Sequence, residues 1–158
     1  MKKVILAGAS LNSGNNGVNA LTRSQIMFIL DHYGVDVEII ILSYTVKETL
    51  NIKIQYNGKD ITIKEIPCNA KKLIEAYVKS IFIGKNYILD LIKSADAVWD
   101  ISEGDSFSDI YGSKRFIQHS LIKLTAINVK TKLVLMPQTL GPFNKSWVKW
   151  VARRILNK

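Results

Sequence analysis

The chain has 158 residues, of which 47% are hydrophobic and 22% charged. Its length suits a single domain, and its composition is that of a globular protein, which excludes a disordered or fibrous chain. No apolar run approaches the ~20 residues that a transmembrane helix needs. The formal net charge of +9 admits an anionic partner, whether nucleic acid, a membrane surface or a small anionic substrate.

Cysteine and histidine are scarce. The single cysteine, Cys68, excludes an internal disulfide and an all-thiolate zinc site. Two histidines argue against a multi-histidine metal site, so we expect no bound metal. Because the first apolar stretch is broken by Gly8 and Ser10, it is no signal peptide. We therefore expect a soluble, cytoplasmic protein.

The first third of the chain predicts a strand–helix–strand unit. Residues 3–9 form a short apolar strand, followed by a loop of glycine, serine and asparagine over 8–17. A helix is predicted from Asn19 to His32, ended by Gly34. Residues 35–44 are so apolar that they predict a strand buried on both faces, as in a parallel sheet.

The remaining elements continue the alternation with one interruption. Residues 50–66 alternate apolar and polar side chains around Asn57-Gly58, which predicts a β-hairpin lying as an excursion from the main sheet. The other predicted elements are two helical pieces within 70–93, a strand at 97–101, a loop at 102–112, a helix at 113–127, a strand at 132–137, a loop at 138–143 and a helix at 146–156. No internal repeat or linker interrupts them.

This order predicts an α/β fold: a Rossmann-like, mostly parallel sheet with flanking helices. Ligands of such sheets bind outside the carboxyl ends of the strands. Three loops fall at that edge, 8–17, 102–112 and 138–143, and they are the segments richest in glycine, asparagine, aspartate and serine. We expect the functional site among them.

The loop after the third main strand holds most of the acidic groups. Asp100, Glu103, Asp105 and Asp109 lie within ten residues, and crowded carboxylates can raise one another's pKa or bind magnesium. The alternative is that they form turns and cap helices. For the first loop, the alternatives are an anion or sugar site and a tight turn capped by an asparagine. His32 and His119 are expected to be satisfied surface or packing histidines.

Three runs of sequence together resemble the polysaccharide pyruvyl transferase family. They are 15–21 (Asn-Asn-Gly-Val-Asn-Ala-Leu), 104–112 (Gly-Asp-Ser-Phe-Ser-Asp-Ile-Tyr-Gly) and 137–143 (Pro-Gln-Thr-Leu-Gly-Pro-Phe). Their order and approximate spacing match as well. The resemblance implies a cytoplasmic enzyme of exopolysaccharide biosynthesis. Such an enzyme transfers pyruvate from phosphoenolpyruvate, its donor substrate and no cofactor, to sugar hydroxyls as a ketal.

The resemblance also implies roles for individual residues. Asp105 is the candidate catalytic residue, since a carboxylate at a strand end can contact or deprotonate a sugar hydroxyl. Lys114 and Arg115 can meet an anion or form a plain exposed basic pair. The candidate substrate-binding residues, drawn from all three runs, are Asn15, Asn16, Gly17, Asn19, Gly104, Ser106, Asp109, Tyr111, Gln138, Thr139 and Gly141.

The chain departs from the family pattern in two respects. Glu103 stands where the family often has a glycine before Gly-Asp. Family members also continue into a second domain that carries much of the donor-binding machinery, within a fold like the two-domain glycosyltransferase-B enzymes. Residues 1–158 are therefore expected to be the N-terminal Rossmann-like domain of a partial or truncated chain, with the second domain absent.

Two other functions stay open for this fold class. One is a nucleotide-sugar glycosyltransferase domain, and the other is a non-catalytic module that binds carbohydrate or anions. The expected partners are phosphoenolpyruvate and a glycan or lipid-linked glycan, but not nucleic acid, for which no motif is present.

The last predicted helix suggests contacts with other surfaces. Lys145, Lys149 and Arg153 recur every fourth residue beside Trp147 and Trp150, which is compatible with weak contact to an anionic membrane or with a solvated basic face. The protein would then be peripheral at the inner face of the membrane. The same tryptophans predict self-association through an exposed apolar patch.

Overall fold

The computed structural model describes residues 1–82, 84–104 and 107–158. Six strands form one sheet in the order β3-β4-β2-β1-β5-β6. The strands are β1 (Lys2–Ala7), β2 (Val37–Ser43), β3 (Leu50–Tyr56), β4 (Lys59–Pro67), β5 (Ala97–Asp100) and β6 (Lys132–Leu135). The helices are α1 (Asn16–Tyr33), α2 (Ala70–Ile81), α3 (Tyr87–Ser94), α4 (Ser113–Asn128) and α5 (Ser146–Leu156). The predicted α/β fold with a mostly parallel sheet is confirmed.

The parallel strands are apolar because both of their faces are covered. Along β1, Val4 and Leu6 point to the side of α1, and Ile5 and Ala7 to the side of α2, α3 and α4. This alternation is the period of two that strand geometry imposes. Ala7 pairs with Leu42 of β2 and with Asp100 of β5, so these strands end together at one edge.

The hairpin occupies a different position in the fold from the one predicted. β3 and β4 pair antiparallel through Asn57 and Gly58, both with positive φ, as a tight hairpin turn requires. However, β4 also pairs in parallel with β2, from Ile40 opposite Lys64 to Ser43 opposite Pro67. The hairpin is thus two strands of the main sheet and no excursion from it, because β4 covers the edge that β2 would otherwise expose.

The start of α1 also differs from the prediction. The helix begins at Asn16, and the preceding Asn15 accepts hydrogen bonds at its Oδ1 from the backbone N–H of Gly17 (2.9 Å) and Val18 (3.4 Å). Asn15 is therefore the N-cap, and Asn19 lies within the first turns instead of opening the helix.

Helices cover the two faces of the sheet unequally. α1 packs on one face, while α2, α3 and α4 pack on the other, with α5 against α4. Phe107, Phe116 and Val148 belong to the apolar cluster that joins α4 to α5. Within the ranges described, no helix has the length and apolar character needed to cross a bilayer.

Gly8, just after β1, lets two loops approach at the carboxyl edge. Its φ is +60°, and its carbonyl accepts a 2.7 Å hydrogen bond from the N–H of Glu103. A Cβ at this position would lie 3.0 Å from both Cα and N of Ser102. This contact is tighter than nine in ten real Cβ contacts, and the positive φ adds strain for any other residue, so glycine is strongly favoured at this position.

We expect Gly8→Ala to lower the free energy of unfolding by about 2–4 kcal/mol, from left-handed backbone strain together with the clash on Ser102. Gly58→Ala is the matched control: its φ is +76°, but a Cβ there meets nothing within 4 Å. The control should lose only the backbone part, about 1 kcal/mol. Urea unfolding of both variants measures the difference, and equal losses would contradict the close approach.

Candidate functional site

A buried ion pair lies at the carboxyl end of β5. The Nζ of Lys123 on α4 is 2.6 Å from Oδ2 of Asp100, and neither side chain is exposed to solvent. Lys123 also donates to Oγ of Ser102 (3.0 Å) and to the carbonyl of His119 (3.1 Å). Burial lowers the pKa of Lys123, and the Asp100 carboxylate opposes that shift. A buried charge of this kind is stable only when it is paired and hydrogen-bonded.

The third loop is tied to the same pair. Gln138 donates from Nε2 to the backbone carbonyl of Asp100 (3.2 Å) and lies 3.4 Å from its Oδ2. The Ser102 hydroxyl donates to that Oδ2 as well, at 2.8 Å. Gln138, predicted as a substrate-binding residue, thus also connects β6's exit loop to the end of β5.

The second and third motifs are joined along their length. Phe107 donates its N–H to the carbonyl of Thr139 (2.8 Å) and accepts from the N–H of Gly141 (2.9 Å). The Ser108 hydroxyl donates to the carbonyl of Pro142 at 2.6 Å. Thr139 and Gly141, two of the predicted site residues, are therefore held against the second motif through their backbone.

Asp109 holds the start of α5. Its carboxylate accepts hydrogen bonds from the backbone N–H of Asn144 (2.9 Å) and of Lys145 (3.2 Å). These bonds, with the Asn144 N–H contributing most, lower the pKa of Asp109. The expectation that crowding raises carboxylate pKa values is therefore wrong for Asp109, because its charge is stabilised by N–H donors.

The carboxylates of the second loop that the structure describes point to different partners. Asp100 pairs with Lys123, Glu103 pairs with Arg115 at 3.0 Å, and Asp109 binds backbone N–H groups. Across the described ranges, no three of the aspartate, glutamate, histidine and cysteine side chains converge to hold a metal ion. Asp105 and Ser106 lie outside the described residues.

The first loop is organised by its own polar side chains. Asn19 accepts from the N–H and the hydroxyl of Ser13 and donates back to the carbonyl of Ser13, all within 3.0 Å. Ser10 donates its hydroxyl to the buried carboxylate of Glu65 at 2.6 Å, and Leu11 donates its N–H to the same carboxylate at 3.2 Å. Asn15 is the helix cap, and Asn16 and Gly17 are exposed at the start of α1.

An open cleft lies beside the ion pair, between the end of β2 and the start of α4. Its volume is about 380 Å³, and its lining residues are Tyr44, Thr45, Glu103, Tyr111, Lys114, Arg115 and Gln118. The cations Lys114 and Arg115 outnumber the single carboxylate, Glu103, so the lining has a net positive charge. The guanidinium of Arg115 lies 5.6 Å from the centre of the Tyr111 ring. Of the substrate-binding residues predicted from sequence, the cleft lining contains Tyr111.

Tyr44 and His119 form the inner wall between the cleft and the ion pair. Their rings meet edge to face with centroids 5.5 Å apart. Burial, with the negative charge of Asp100 and Glu103, raises the pKa of Tyr44 well above its ordinary value, so Tyr44 is a neutral phenol at neutral pH. Burial, aided by the charge of Lys123, lowers the pKa of His119 to about 3.

Several buried polar atoms of this wall and of the strand ends behind it have no hydrogen-bond partner among the described residues. They are the hydroxyl of Tyr44, Nδ1 of His119, Oδ1 of Asp100 and Oε1 of Gln138. Unpaired buried polar groups are rare in proteins and concentrate at functional sites. Asp100 and Gln138 lie at the carboxyl edge of the sheet and Tyr44 lines the cleft, so these atoms support this edge as the candidate site.

Sequence reasoning missed Tyr44, Thr45 and Lys123 and placed His119 in the packing. One signal was available: Arg115, His119 and Lys123 recur every fourth residue, which puts one polar row on a helix that also carries Phe116 and Ile122. For Tyr44 and Thr45 the sequence offers only their position directly after a strand.

Comparison with known proteins gives one finding. The family model described as polysaccharide pyruvyl transferase matches residues 15–158, which include all three sequence motifs. No curated protein matches the chain.

We expect Lys123→Met to destabilise the fold by about 3–5 kcal/mol, because it leaves the Asp100 carboxylate buried without its cation. Lys2→Met removes one partner of an exposed ion pair, with Asp96, and serves as the control with almost no change in stability. Urea unfolding measures both. Equal midpoints for the two variants would show that the Asp100–Lys123 pair is dispensable.

The low pKa of His119 makes stability depend on pH. The folded protein keeps His119 neutral down to about pH 3, whereas the unfolded chain protonates it near pH 6.5. The unfolded state therefore binds more protons between these values, and stability falls as the pH is lowered through that range.

At about 1.4 kcal/mol per pH unit below pH 6.5, the histidine's contribution to stability should fall by about 2 kcal/mol between pH 7 and pH 5. In His119→Gln this part of the loss should disappear. Urea unfolding at both pH values compares the variant with the unsubstituted protein. A loss of the same size in both would mean that His119 is protonated in the folded state.

Proposed function

The chain belongs to the polysaccharide pyruvyl transferase family, and we propose that it takes part in transferring pyruvate from phosphoenolpyruvate to sugar hydroxyls of a polysaccharide as a ketal. The observation that carries the proposal is the family match across all three motifs. The meeting of two of these motifs beside a cationic cleft supports it.

The reaction needs proton donors, a base and cations. A proton adds to the methylene carbon of the donor, a sugar hydroxyl adds to the neighbouring carbon and loses its proton, and phosphate leaves. A second hydroxyl then adds to the same carbon and loses its proton, which closes the ketal. The net products are the ketal and inorganic phosphate, with no oxidant or reductant.

The cleft offers groups of the required kinds. Lys114 and Arg115 can bind the carboxylate or phosphate of an anionic substrate, since guanidinium and ammonium groups form charge-assisted hydrogen bonds to such oxygens. The Tyr111 ring gives a face on which a sugar can stack. Tyr44, held neutral by its raised pKa, can donate its proton in a hydrogen bond but cannot act as a base at neutral pH.

We assign the base to Asp105. Among the other loop carboxylates, Asp100 is neutralised by Lys123, Glu103 pairs with Arg115, and Asp109 binds the start of α5. Of these three, Asp109 has its pKa lowered by its N–H partners, which makes it a weaker base. Asp105 stands between them in sequence and within the motif that carries the family resemblance.

The assay must use a polypeptide that carries both family domains, because the resemblance places much of the donor-binding machinery in a second domain. The readout is phosphate released from phosphoenolpyruvate in the presence of a polysaccharide acceptor. Acceptor-dependent release favours pyruvyl transfer. Turnover of a nucleotide sugar without such release would favour the glycosyltransferase alternative.

We expect Asp105→Asn to lower the turnover number by about 10²–10⁴-fold, the usual contribution of a general base, and to leave folding intact. Asp60→Asn, at an exposed position of β4 near the hairpin turn, is the matched control and should keep full turnover. Circular dichroism of both variants verifies the fold. Unchanged turnover in Asp105→Asn would remove the residue from the mechanism.

A further inference from the structure

α2 has an apolar face that the fold leaves uncovered. Its inner side buries Leu73 and Ala76 against the sheet. On the outer side, Ile74, Val78, Ile81 and Phe82 are exposed by 50%, 44%, 51% and 77%. Ile74, Val78 and Ile81, spaced by four and three residues, lie on one stripe of the helix, and Phe82 follows as its C-cap. A contiguous patch of this kind on a globular domain marks a contact surface.

The stripe continues into a groove between α2 and α4. The groove has a volume of about 410 Å³, and its apolar lining comes from Ala70, Ile74, Ile117 and Leu121. Its two polar lining residues, Lys114 and Gln118, also line the cationic cleft described above. The apolar surface therefore adjoins the candidate site directly.

The surroundings of the stripe are basic. α2 carries Lys71, Lys72 and Lys79 and a single acidic residue, Glu75, which is paired with Lys79 at 2.6 Å. Lys114 stands at the groove on α4. Apolar side chains bordered by lysines form the pattern with which amphipathic helices bind the interface of anionic membranes.

We propose that the outer face of α2 docks on an anionic phospholipid bilayer, with Ile74, Val78 and Phe82 entering the headgroup region and the flanking lysines meeting the lipid charge. A lysine near such a surface contributes roughly fivefold in binding, equivalent to about 1 kcal/mol. A second copy of the chain is a poorer occupant, because a symmetric interface would bring the same lysines together in a poorly solvated contact.

α5 can broaden this contact. α4 contacts both α5 and α2. Trp150 of α5 is 63% exposed, and the Arg154 guanidinium lies 6.0 Å from the centre of that ring. Tryptophan and arginine both favour the boundary between water and lipid. The apolar stripe of α2 nevertheless provides the larger exposed apolar set, so we assign the main contact to α2.

Vesicle co-sedimentation tests the proposal. The probes are vesicles of phosphatidylcholine alone and of phosphatidylcholine with about a third of phosphatidylglycerol, each at low and high salt. We expect binding to the anionic vesicles at low salt, loss of that binding at high salt, and no binding to the neutral vesicles. Equal recovery in the supernatant with both lipids would overturn the proposal.

Matched variants locate the surface. Phe82→Ser should weaken binding to the anionic vesicles about tenfold, whereas Phe28→Ser, which removes a 55% exposed phenylalanine on the opposite face of the sheet, should change it less than twofold. Lys71→Gln with Lys72→Gln should weaken binding by at least tenfold. Lys53→Gln with Lys59→Gln removes the same net charge from the distant hairpin and should have little effect.

Three results would assign the surface otherwise. If Trp150→Ser abolishes binding while Phe82→Ser leaves it intact, α5 carries the membrane contact and the α2 proposal fails. If substitution of either lysine pair weakens binding equally, the attraction depends on the net charge of the whole protein and not on α2, and the α2 proposal also fails. If light scattering shows a dimer that Phe82→Ser dissociates, and no vesicle binding occurs, a second copy covers α2.

Discussion

The candidate site depends on one interaction, the buried pair between Asp100 and Lys123. A charged lysine with no solvent exposure is stable only if a group of opposite charge contacts it directly. The pair therefore fixes where α4 lies relative to the end of β5. Ser102 and Gln138 contact Oδ2 of Asp100 and thereby tie the second and third loops to the pair. Because residues four apart share one face of a helix, anchoring Lys123 also places His119 behind the cleft and Arg115 in its lining.

A second buried carboxylate organises the other side of the sheet edge without any cation among the contacts described. Glu65 of β4 accepts from the hydroxyl of Ser10 and from the N–H of Leu11, which fixes the first loop. Thr45, a lining residue of the cleft, donates its hydroxyl to Ser10 at 3.0 Å. Hydrogen bonds thus fix the loops at the sheet edge on both sides of β1. Because hydrogen bonds require particular partners in a particular geometry, they define loop positions more narrowly than apolar contacts can.

The sequence predicts the layers of the fold well because they follow from local patterns. The alternation of strands and helices, and α5 with its bounds, are read from residue periodicity and from turn residues. The failures concern information that local pattern does not contain. The pairing of β4 with β2 joins residues far apart in sequence, and the start of α1 depends on whether Asn15 or a later asparagine turns its side chain to the helix N–H groups. Asn15, Asn16 and Asn19 have the same side chain and could each cap a helix. In the structure, Asn19 is bound to Ser13 and Asn15 is the cap.

For the site, the rule that parallel strands end at one edge predicts that the motifs meet, but it does not say what each side chain does there. Asn15, Asn19 and Asp109 satisfy backbone or side-chain groups of the loops themselves. The groups that face the cleft include Tyr44 and Thr45, which follow β2 and belong to no motif.

This division between framework residues and cleft residues has a physical cause. Most buried polar groups of a loop need partners within the protein, so motif residues in sequence mark the framework of a site as often as its contacts. Asp100 is paired with Lys123 and Asp109 is bound by backbone N–H groups, so neither carboxylate offsets the positive charge that Lys114 gives to the cleft.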